Sequence, residues 1–356
     1  MPKMVIINLR DFIYCFGEII MKIIISFLLS IFLFFSDIKV VNAESNIYAR
    51  CYIVMDANTN EVLEGHNENE IRSVASISKI MTAIIALESD KLFDIVTIGE
   101  EVLDAVGSSI YLNVGEQITI IDLVYGLLLR SGNDCAVSIA INVSGSIEKF
   151  VDKMNSLAYK LGMKNTIFSN PSGLDIVDNG NNSTCLDMAL LMAYCLKNDL
   201  FCEIINTRKY RSLDRVFINK NKLLKNYEHL IGGKTGYTYK AKRTLINSAL
   251  KDKQKLIVCT FDCGSDFSFH KQKFEKYFNE YNYFHLLDKG ENYIESYLIV
   301  TAFDIGVRMN KDIDLYGVMI YKILKGSNIL EIIYFDNNQN QYELGKYEIV
   351  SFKKIE

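Results

Sequence analysis

The sequence lacks tryptophan, has only two prolines and carries no strong excess of charge of either sign. Its 39 lysines and arginines nearly balance 43 aspartates and glutamates, and the formal net charge of −4 gives no electrostatic footprint for a nucleic acid partner. Neither internal repeats nor low-complexity linkers interrupt the chain. With 356 residues, 49% of them hydrophobic, it has the composition of a folded globular protein and can bury a full core.

Histidine and cysteine do not form the patterns that indicate a metal site or a Ser-His-Asp triad. The chain has four histidines, and it contains no Gly-x-Ser-x-Gly nucleophile elbow. Of its eight cysteines, Cys259 and Cys263 come nearest to a metal-binding pair, but no second Cys or His pair stands at the spacing of a zinc finger. We therefore expect the cysteines to be buried free thiols, and we expect no metal and no organic cofactor.

The first 43 residues have the features of an export signal. Lys22 precedes an uncharged apolar run from Ile23 to Phe35, and a more polar stretch ends at Ala43 with small or modest side chains. This order is typical of a secretory signal peptide, and the run is short for a membrane span. The sequence therefore predicts a signal peptide over residues 1–43 and secretion to the outer face of the membrane or the cell wall. Met21 would be a more usual start than Met1, and an uncleaved anchor that keeps the protein at the outer membrane surface stays open.

Helix and strand patterns alternate along residues 44–290 and predict an α/β core with a helical insertion. Strand formers around a turn cluster between Tyr48 and Leu63 predict a strand pair, and strand patterns return after Val216. Between them, apolar residues recur at helical spacing. The predicted helices start near Ser76 and cover Ile121 to Leu129, Ala136 to Val143, Ile147 to Leu161, Leu186 to Leu196 and Phe267 to Leu287. Residues 291–356 hold short apolar runs between polar clusters and predict a small β-rich domain.

Ser76 and Lys79 form the first candidate site, at the predicted start of a helix. Residues three apart share one helix face, and the helix N-terminus is electropositive. A serine hydroxyl is a weak nucleophile unless a neighbouring base activates it, and a neutral lysine amine is such a base. A four-residue pattern of this kind is common by chance, so an exposed helix cap with a solvated lysine is the alternative interpretation of this pair taken alone.

Two further motifs follow in order, and together with Ser76 and Lys79 they favour a catalytic site over an exposed helix cap. Ser131-Gly132-Asn133 comes after a predicted helix, and Lys234-Thr235-Gly236 comes before a predicted strand. Together with Ser-x-x-Lys, they match the signature of penicillin-binding proteins and class A β-lactamases. A phosphate-binding loop around Lys234 is excluded, because Glu228 stands where that motif requires its first glycine.

With these motifs the chain resembles a known family, the D-alanyl-D-alanine carboxypeptidases, which are low-molecular-mass penicillin-binding proteins of a serine peptidase family. The resemblance covers roughly residues 46–285. It rests on the three motifs with their flanking strings and on Asn170 to Asp175 and Asn219 to Leu224. It implies an antiparallel sheet flanked by helices with a helical subdomain, the fold shared with β-lactamases. It also implies release of the terminal D-alanine from peptidoglycan stem peptides that end in D-Ala-D-Ala, with β-lactam antibiotics as covalent inhibitors.

The resemblance implies catalytic roles for four residues. Ser76 would attack the carbonyl between the two D-alanines, and Lys79 would be its general base. Ser131 would relay a proton toward the leaving amine, and Asn133 would hold the substrate amide and orient Lys79.

It implies substrate-binding roles for the third motif. Lys234 and Thr235 would bind the terminal carboxylate of the substrate, since a cation and a hydroxyl donor suit an anion. Gly236 would let substrate backbone lie against its strand. The backbone N–H groups of Ser76 and Tyr237 would form the oxyanion hole.

One departure concerns the carboxylate anchor. Family members often carry an arginine shortly before the helix that closes the core, and His270 stands at that position here, with Lys271 beside it. Two other functions stay open. A catalytically quiet peptidoglycan- and penicillin-binding protein would keep the groove without turnover. A class A β-lactamase would need a loop glutamate, and the interval around Asn170 to Asp175 contains no Glu-x-x-x-Asn string.

Overall fold

The computed structural model describes residues 48–175, 180–313, 316–324 and 326–355. The predicted signal peptide of residues 1–43 lies outside the described residues and stays a prediction. Within the described part of the chain, every helix is too short or too polar to cross a bilayer.

A five-stranded antiparallel sheet forms the centre of the protein, with the strand order β2-β1-β11-β10-β9. Its strands are rich in β-branched and aliphatic residues, which favour a pleated and buried surface. Its strand bounds are Ala49–Asp56 (β1), Val62–His66 (β2), Leu230–Thr238 (β9), Lys242–Lys251 (β10) and Gln254–Cys263 (β11). Three short strand pairs lie outside it: Arg72–Ser73 (β3) with Asn182–Ser183 (β6), Ile95–Thr97 (β4) with Gln117–Thr119 (β5), and Lys209–Ser212 (β7) with Arg215–Ile218 (β8).

Helices cover both faces of this sheet. Alternate residues of one strand point to opposite faces, and accordingly Ile53 joins the larger apolar core while its neighbour Val54 joins a second core that contains Phe274. The helix bounds are Lys79–Leu87 (α1), Ile120–Tyr125 (α2), Asn133–Ser144 (α3), Ile147–Lys160 (α4), Cys185–Cys195 (α5), Asp199–Asn206 (α6), Leu223–Asn226 (α7) and Asp266–Glu280 (α8). The predicted α/β fold, with an antiparallel sheet flanked by helices, is confirmed. All seven cysteines in the described part are free, and six of them are buried.

The predicted closing helix is too long at its C-terminal end. α8 stops at Glu280, and Tyr281–Leu287 forms strand β12 instead. This segment pairs with Ile305–Asn310 (β15) in the C-terminal part of the chain. Its closely spaced aromatic residues fit a helix face and a strand equally well by periodicity, and the long-range pairing decides between them.

The C-terminal residues form small antiparallel sheets around their own core, which includes Leu287, Ile305 and Leu330. Besides β12 and β15, the strands are Gly290–Ile294 (β13), Tyr297–Thr301 (β14), Gly317–Ile323 (β16), Ile329–Asp336 (β17), Gln341–Glu348 (β18) and Ser351–Lys354 (β19). The β-rich appendage predicted from the sequence is thus present. The boundary near residue 290 remains a proposal, and β12 already pairs with a strand beyond it.

A buried ion pair connects the C-terminal strands to the central sheet. The guanidinium of Arg308 on β15 binds the carboxylate of Asp56 at the end of β1, and it also lies 2.9 Å from Glu61. The side chains of Arg308 and Asp56 are only 7% and 2% exposed. Removing one partner of such a pair leaves an uncompensated buried charge.

We expect Arg308→Met to lower the free energy of unfolding by about 3 kcal/mol, because Asp56 would stay buried without its partner. Urea unfolding monitored by circular dichroism measures the change. Arg211→Met is the matched control, since Arg211 is exposed on β7. Equal unfolding midpoints for the two variants would show that the pair contributes nothing to stability.

Candidate active site

A tight 3₁₀ turn places Ser76 directly before α1. The turn spans Ala75–Ser78, and Ala75 has a φ of 51°, a conformation that residues with a side chain rarely adopt. The Ser78 hydroxyl donates to the Ala75 carbonyl at 2.7 Å, and the Thr244 hydroxyl of β10 donates to the Val74 carbonyl at 3.0 Å. The start of the helix is therefore held against the central sheet, with Ser76 facing a cleft.

Lys79 lies one turn further along, and its side chain is fully buried. Its Nζ is 3.0 Å from the hydroxyl of Ser76 and 2.7 Å from Oδ1 of Asn133, and it also contacts the carbonyl oxygen of Ser172. The last two are oxygens that can only accept hydrogen bonds. A neutral amine has two N–H donors and one lone pair, so it can donate to both and still accept the proton of Ser76.

Burial lowers the pKa of the Lys79 amine to about 7. An amine with this pKa is half neutral at neutral pH, which suits a general base. The sequence alone does not reveal this burial, because the residues that surround Lys79 come from distant parts of the chain.

Ser131 and Asn133 are positioned by a change of backbone direction. A π-helical turn over Gly126–Arg130 ends at Ser131, which has a φ of 66°, and α3 begins at Asn133. Nδ2 of Asn133 donates to the Val106 carbonyl at 2.6 Å, which orients its Oδ1 toward Lys79. Asn133 is thus fixed between the base and a neighbouring loop.

The strand β9 carries the third motif past the nucleophile. Nζ of Lys234 donates to the Ser131 hydroxyl at 3.0 Å, which joins the second and third motifs. Burial lowers the pKa of Lys234 well below its usual value, and the charges of Lys79 and Lys220 add to this effect. A bound anion would oppose that shift and favour the ammonium form.

Gly236 stands where the strand passes closest to the nucleophile. A Cβ at this position would lie 2.3 Å from the hydroxyl oxygen of Thr244 and 3.0 Å from the backbone nitrogen of Ser76. Any side chain would therefore displace the strand from the Ser76 amide. The next residue, Tyr237, exposes 64% of its surface at the edge of the cleft.

These residues line a cleft of about 330 Å³. Among the candidate residues, Ser76, Ser131, Thr235, Gly236 and Tyr237 form its walls, while Lys79, Asn133 and Lys234 lie buried behind them. The structure thus brings together all eight residues that the three motifs suggested.

The cleft also contains a cation that the sequence reasoning missed. Arg243 of β10 is paired with Tyr237 of β9, and both residues line the cleft. Its guanidinium binds the buried carboxylate of Asp266 at 2.7 and 3.1 Å, which holds it in place while its side chain stays 45% exposed. In the sequence, Arg243 stands seven residues after Gly236 and belongs to none of the three motifs.

His270, which takes the position of the expected family arginine, lies away from the cleft. Its ring is fully buried between Asn247 and Thr260, at 3.2 and 3.0 Å, and burial lowers its pKa to about 3. A neutral buried imidazole cannot hold a substrate carboxylate, so this position does not supply the anchor.

Comparison with known proteins identifies relatives of the chain. A model of the D-alanyl-D-alanine carboxypeptidase family, peptidase family S11, matches residues 38–265. The chain is 36% identical over 227 residues to D-alanyl-D-alanine carboxypeptidase DacF of Bacillus subtilis, a match that covers 61% of this chain and 58% of that protein. It is also 36% identical over 235 residues to D-alanyl-D-alanine carboxypeptidase DacC of Escherichia coli, covering 62% and 58%. The match therefore spans less than two thirds of the length of either relative.

A solved structure extends the likeness in fold. Penicillin binding protein 5 from Haemophilus influenzae superposes with a TM-score of 0.73 at 24% identity, covering 87% of this chain and 97% of that one. The shared fold thus extends over more of the chain than the residues that the family model matches.

Proposed function

Because the chain belongs to the D-alanyl-D-alanine carboxypeptidase family of serine peptidases, we propose that it removes the terminal D-alanine from peptidoglycan stem peptides through an acyl-enzyme on Ser76. The observation that carries the proposal is the buried Lys79 amine, which lies 3.0 Å from the Ser76 hydroxyl and has a pKa of about 7. A serine beside such a base is an activated nucleophile.

Acylation would begin when Oγ of Ser76 attacks the carbonyl carbon between the two D-alanines and its proton passes to Nζ of Lys79. The negative charge on the carbonyl oxygen would be bound by the backbone N–H groups of Ser76 and Tyr237. As the C–N bond breaks, Ser131 would pass a proton to the leaving amine of D-alanine. The proton that Lys79 took from Ser76 would replace it on Ser131, so that Lys79 is neutral again for deacylation, while Lys234 keeps its hydrogen bond to the Ser131 hydroxyl.

Deacylation would reverse the roles. Lys79 would remove a proton from a water molecule, the resulting hydroxide would attack the ester carbonyl, and the proton would return to Oγ of Ser76. Asn133 would keep Lys79 aligned in both steps through its 2.7 Å hydrogen bond. No step requires a metal or an organic cofactor.

The terminal carboxylate of the substrate would be bound by Lys234, Thr235 and Arg243. Arg243 lines the same cleft, and Asp266 holds its guanidinium through Nε and Nη2 only, which leaves Nη1 for the substrate. A guanidinium binds a carboxylate through strong, charge-assisted hydrogen bonds. It would therefore take the role for which His270 is unsuited.

We expect Arg243→Gln to lower kcat/KM for a D-Ala-D-Ala substrate by about 10- to 100-fold, mainly through KM, because a charge-assisted hydrogen bond to the carboxylate is lost. Steady-state release of D-alanine measures this. A substrate with a C-terminal amide is the control, since it should lose no further activity in the variant. An unchanged kcat/KM for the carboxylate substrate would exclude Arg243 as the anchor.

The proposed activity would take place outside the cytoplasmic membrane, where its peptidoglycan substrate lies. Peptidoglycan stems ending in D-Ala-D-Ala are the proposed partners, and β-lactam antibiotics would acylate Ser76 as covalent inhibitors. Secretion through the predicted signal peptide, and association with the outer face of the membrane, belong to the same proposal.

Release of D-alanine from a synthetic pentapeptide stem tests the proposed activity directly. We expect turnover by the wild-type protein and complete inhibition by benzylpenicillin. Acylation without release of D-alanine would instead favour the quiet binding protein. Rapid hydrolysis of benzylpenicillin with no D-alanine release would favour a β-lactamase. One observation argues against a class A β-lactamase. In the loop where those enzymes carry a glutamate, this chain presents the backbone carbonyl of Ser172 to Lys79.

A further inference from the structure

A second cavity, of about 550 Å³, lies at the opposite end of β9 from the nucleophile. Its walls come from α7, from the segment between α7 and β9, from the end of β10 and from α8. It shares no residue with the cleft around Ser76. The six residue-to-residue steps from Leu230 to Gly236 span about 20 Å of strand, so the two cavities are well separated.

Four cations and two carboxylates, Glu228 and Glu275, line this cavity, so positive charge is in excess there. Arg208, Lys225, Lys251 and Lys271 line it, and they arise from four different parts of the chain. Of these four cations, only Lys271 forms an ion pair with a described residue, namely Glu275 at 3.6 Å. The other three side chains have no ion-pair partner among the described residues. Like charges repel one another. Three cations without ion-pair partners around one concave surface therefore favour an anionic ligand.

A buried hydroxyl without a hydrogen-bond partner belongs to Tyr227, one of the residues that line this cavity. Tyr227 is 7% exposed, and its hydroxyl makes no hydrogen bond to any described residue. Buried polar groups in proteins are nearly always hydrogen-bonded, so a buried donor beside a cavity indicates a ligand or solvent acceptor. Burial raises the pKa of Tyr227, and the carboxylates of Glu275 and Glu228 add to the shift, so the hydroxyl keeps its proton.

The shape and walls of the cavity restrict the ligand further. Its volume falls in the range of small organic ligand sites and exceeds what a single small anion requires. The ring of Tyr227 stacks on Phe274, whose ring stacks in turn on Phe278 at the cavity wall. Such aromatic walls suit the apolar face of a sugar ring, while several cations and a hydroxyl donor suit the oxygens of a phosphate.

We propose that this cavity binds a phosphorylated sugar or polyol, with the phosphate among Arg208, Lys225 and Lys251 and with the Tyr227 hydroxyl donating to a phosphoryl oxygen. The ligand could be a free sugar phosphate or one unit of a phosphodiester polymer, since both present the same chemistry. This inference does not depend on the proposed peptidase activity.

Isothermal titration calorimetry of the full-length protein tests the site with glucose 1-phosphate and with poly(glycerol phosphate). Unphosphorylated glucose is the neutral control. We expect saturable binding of at least one phosphorylated probe and none of glucose. Tyr227→Phe should weaken that binding about tenfold, because a hydrogen bond to a charged group is lost. The double variant K225Q/K251Q should weaken it further and reduce its dependence on salt.

Lys153→Gln is the matched control, since Lys153 is exposed on α4 and lies outside the cavity. It should bind like the wild type, and all variants should keep the wild-type far-UV circular dichroism spectrum, which reports an intact fold. Binding of glucose 1-phosphate alone would assign a free sugar phosphate, and binding of the polymer would assign a phosphodiester. No saturable binding of either probe, or equal affinity in Tyr227→Phe, K225Q/K251Q and the wild type, would overturn the proposal.

Discussion

Ser76→Ala should abolish release of D-alanine, with a fall in kcat of about four orders of magnitude or more, because no other nucleophile can form the acyl-enzyme. The Ser76 hydroxyl lies 3.0 Å from the base and lines the cleft, while its removal takes away one small, partly exposed group. The variant should therefore stay folded. Stopped assays with a pentapeptide stem, sensitive enough to detect residual turnover, measure the loss.

Ser89→Ala is the control for this experiment. Ser89 follows α1, and its hydroxyl only donates to the carbonyl of Ala86 at 2.8 Å. This variant should keep wild-type turnover. If Ser76→Ala also retained more than a few per cent of wild-type kcat, another residue would have to be the nucleophile.

Lys79→Met should slow acylation by about 10²- to 10⁴-fold, the usual contribution of a general base. Methionine fills a similar volume without an amine, so the buried position should tolerate it better than a polar residue would. Stopped-flow acylation by a chromogenic β-lactam measures the rate. Acylation at the wild-type rate would remove Lys79 from the mechanism.

The wild-type protein should show a matching pH dependence. The base must be neutral to accept the Ser76 proton, and burial places the pKa of Lys79 at about 7. The acylation rate should therefore be low at pH 5, rise through pH 7 and level off above pH 8. A rate that stays constant over this range would show that deprotonation of Lys79 does not control the step.

The catalytic residues could be predicted from the sequence because three short motifs carry them. Ser76 and Lys79 share a helix turn, so local geometry alone brings them together. The family resemblance, and not the residues themselves, implied that Asn133 orients Lys79, whereas the hydrogen bond between Lys234 and Ser131 was not predicted. The resemblance also implied the antiparallel sheet, whereas the strand and helix patterns indicated only an α/β core.

The sequence did not reveal features that depend on long-range packing. Arg243 enters the cleft because β9 and β10 pair in one particular register, and Asp266, 23 residues away, fixes its guanidinium. The end of α8 was misplaced because the aromatic residues after Glu280 fit a helix as well as a strand, and only pairing with β15 settles their structure. The cationic cavity around Tyr227 likewise combines distant segments, each of which looks like an ordinary charged surface in the sequence.

The central claim is that Ser76 forms a covalent acyl-enzyme, and intact-mass spectrometry with benzylpenicillin tests it most directly. We predict that the wild-type mass increases by the mass of one benzylpenicillin molecule, since the ring opens and no atom is lost on acylation. Digestion should locate the adduct on the peptide that contains Ser76, and Ser76→Ala should show no increase. An unshifted wild-type mass, or an adduct on a peptide without Ser76, would contradict the account.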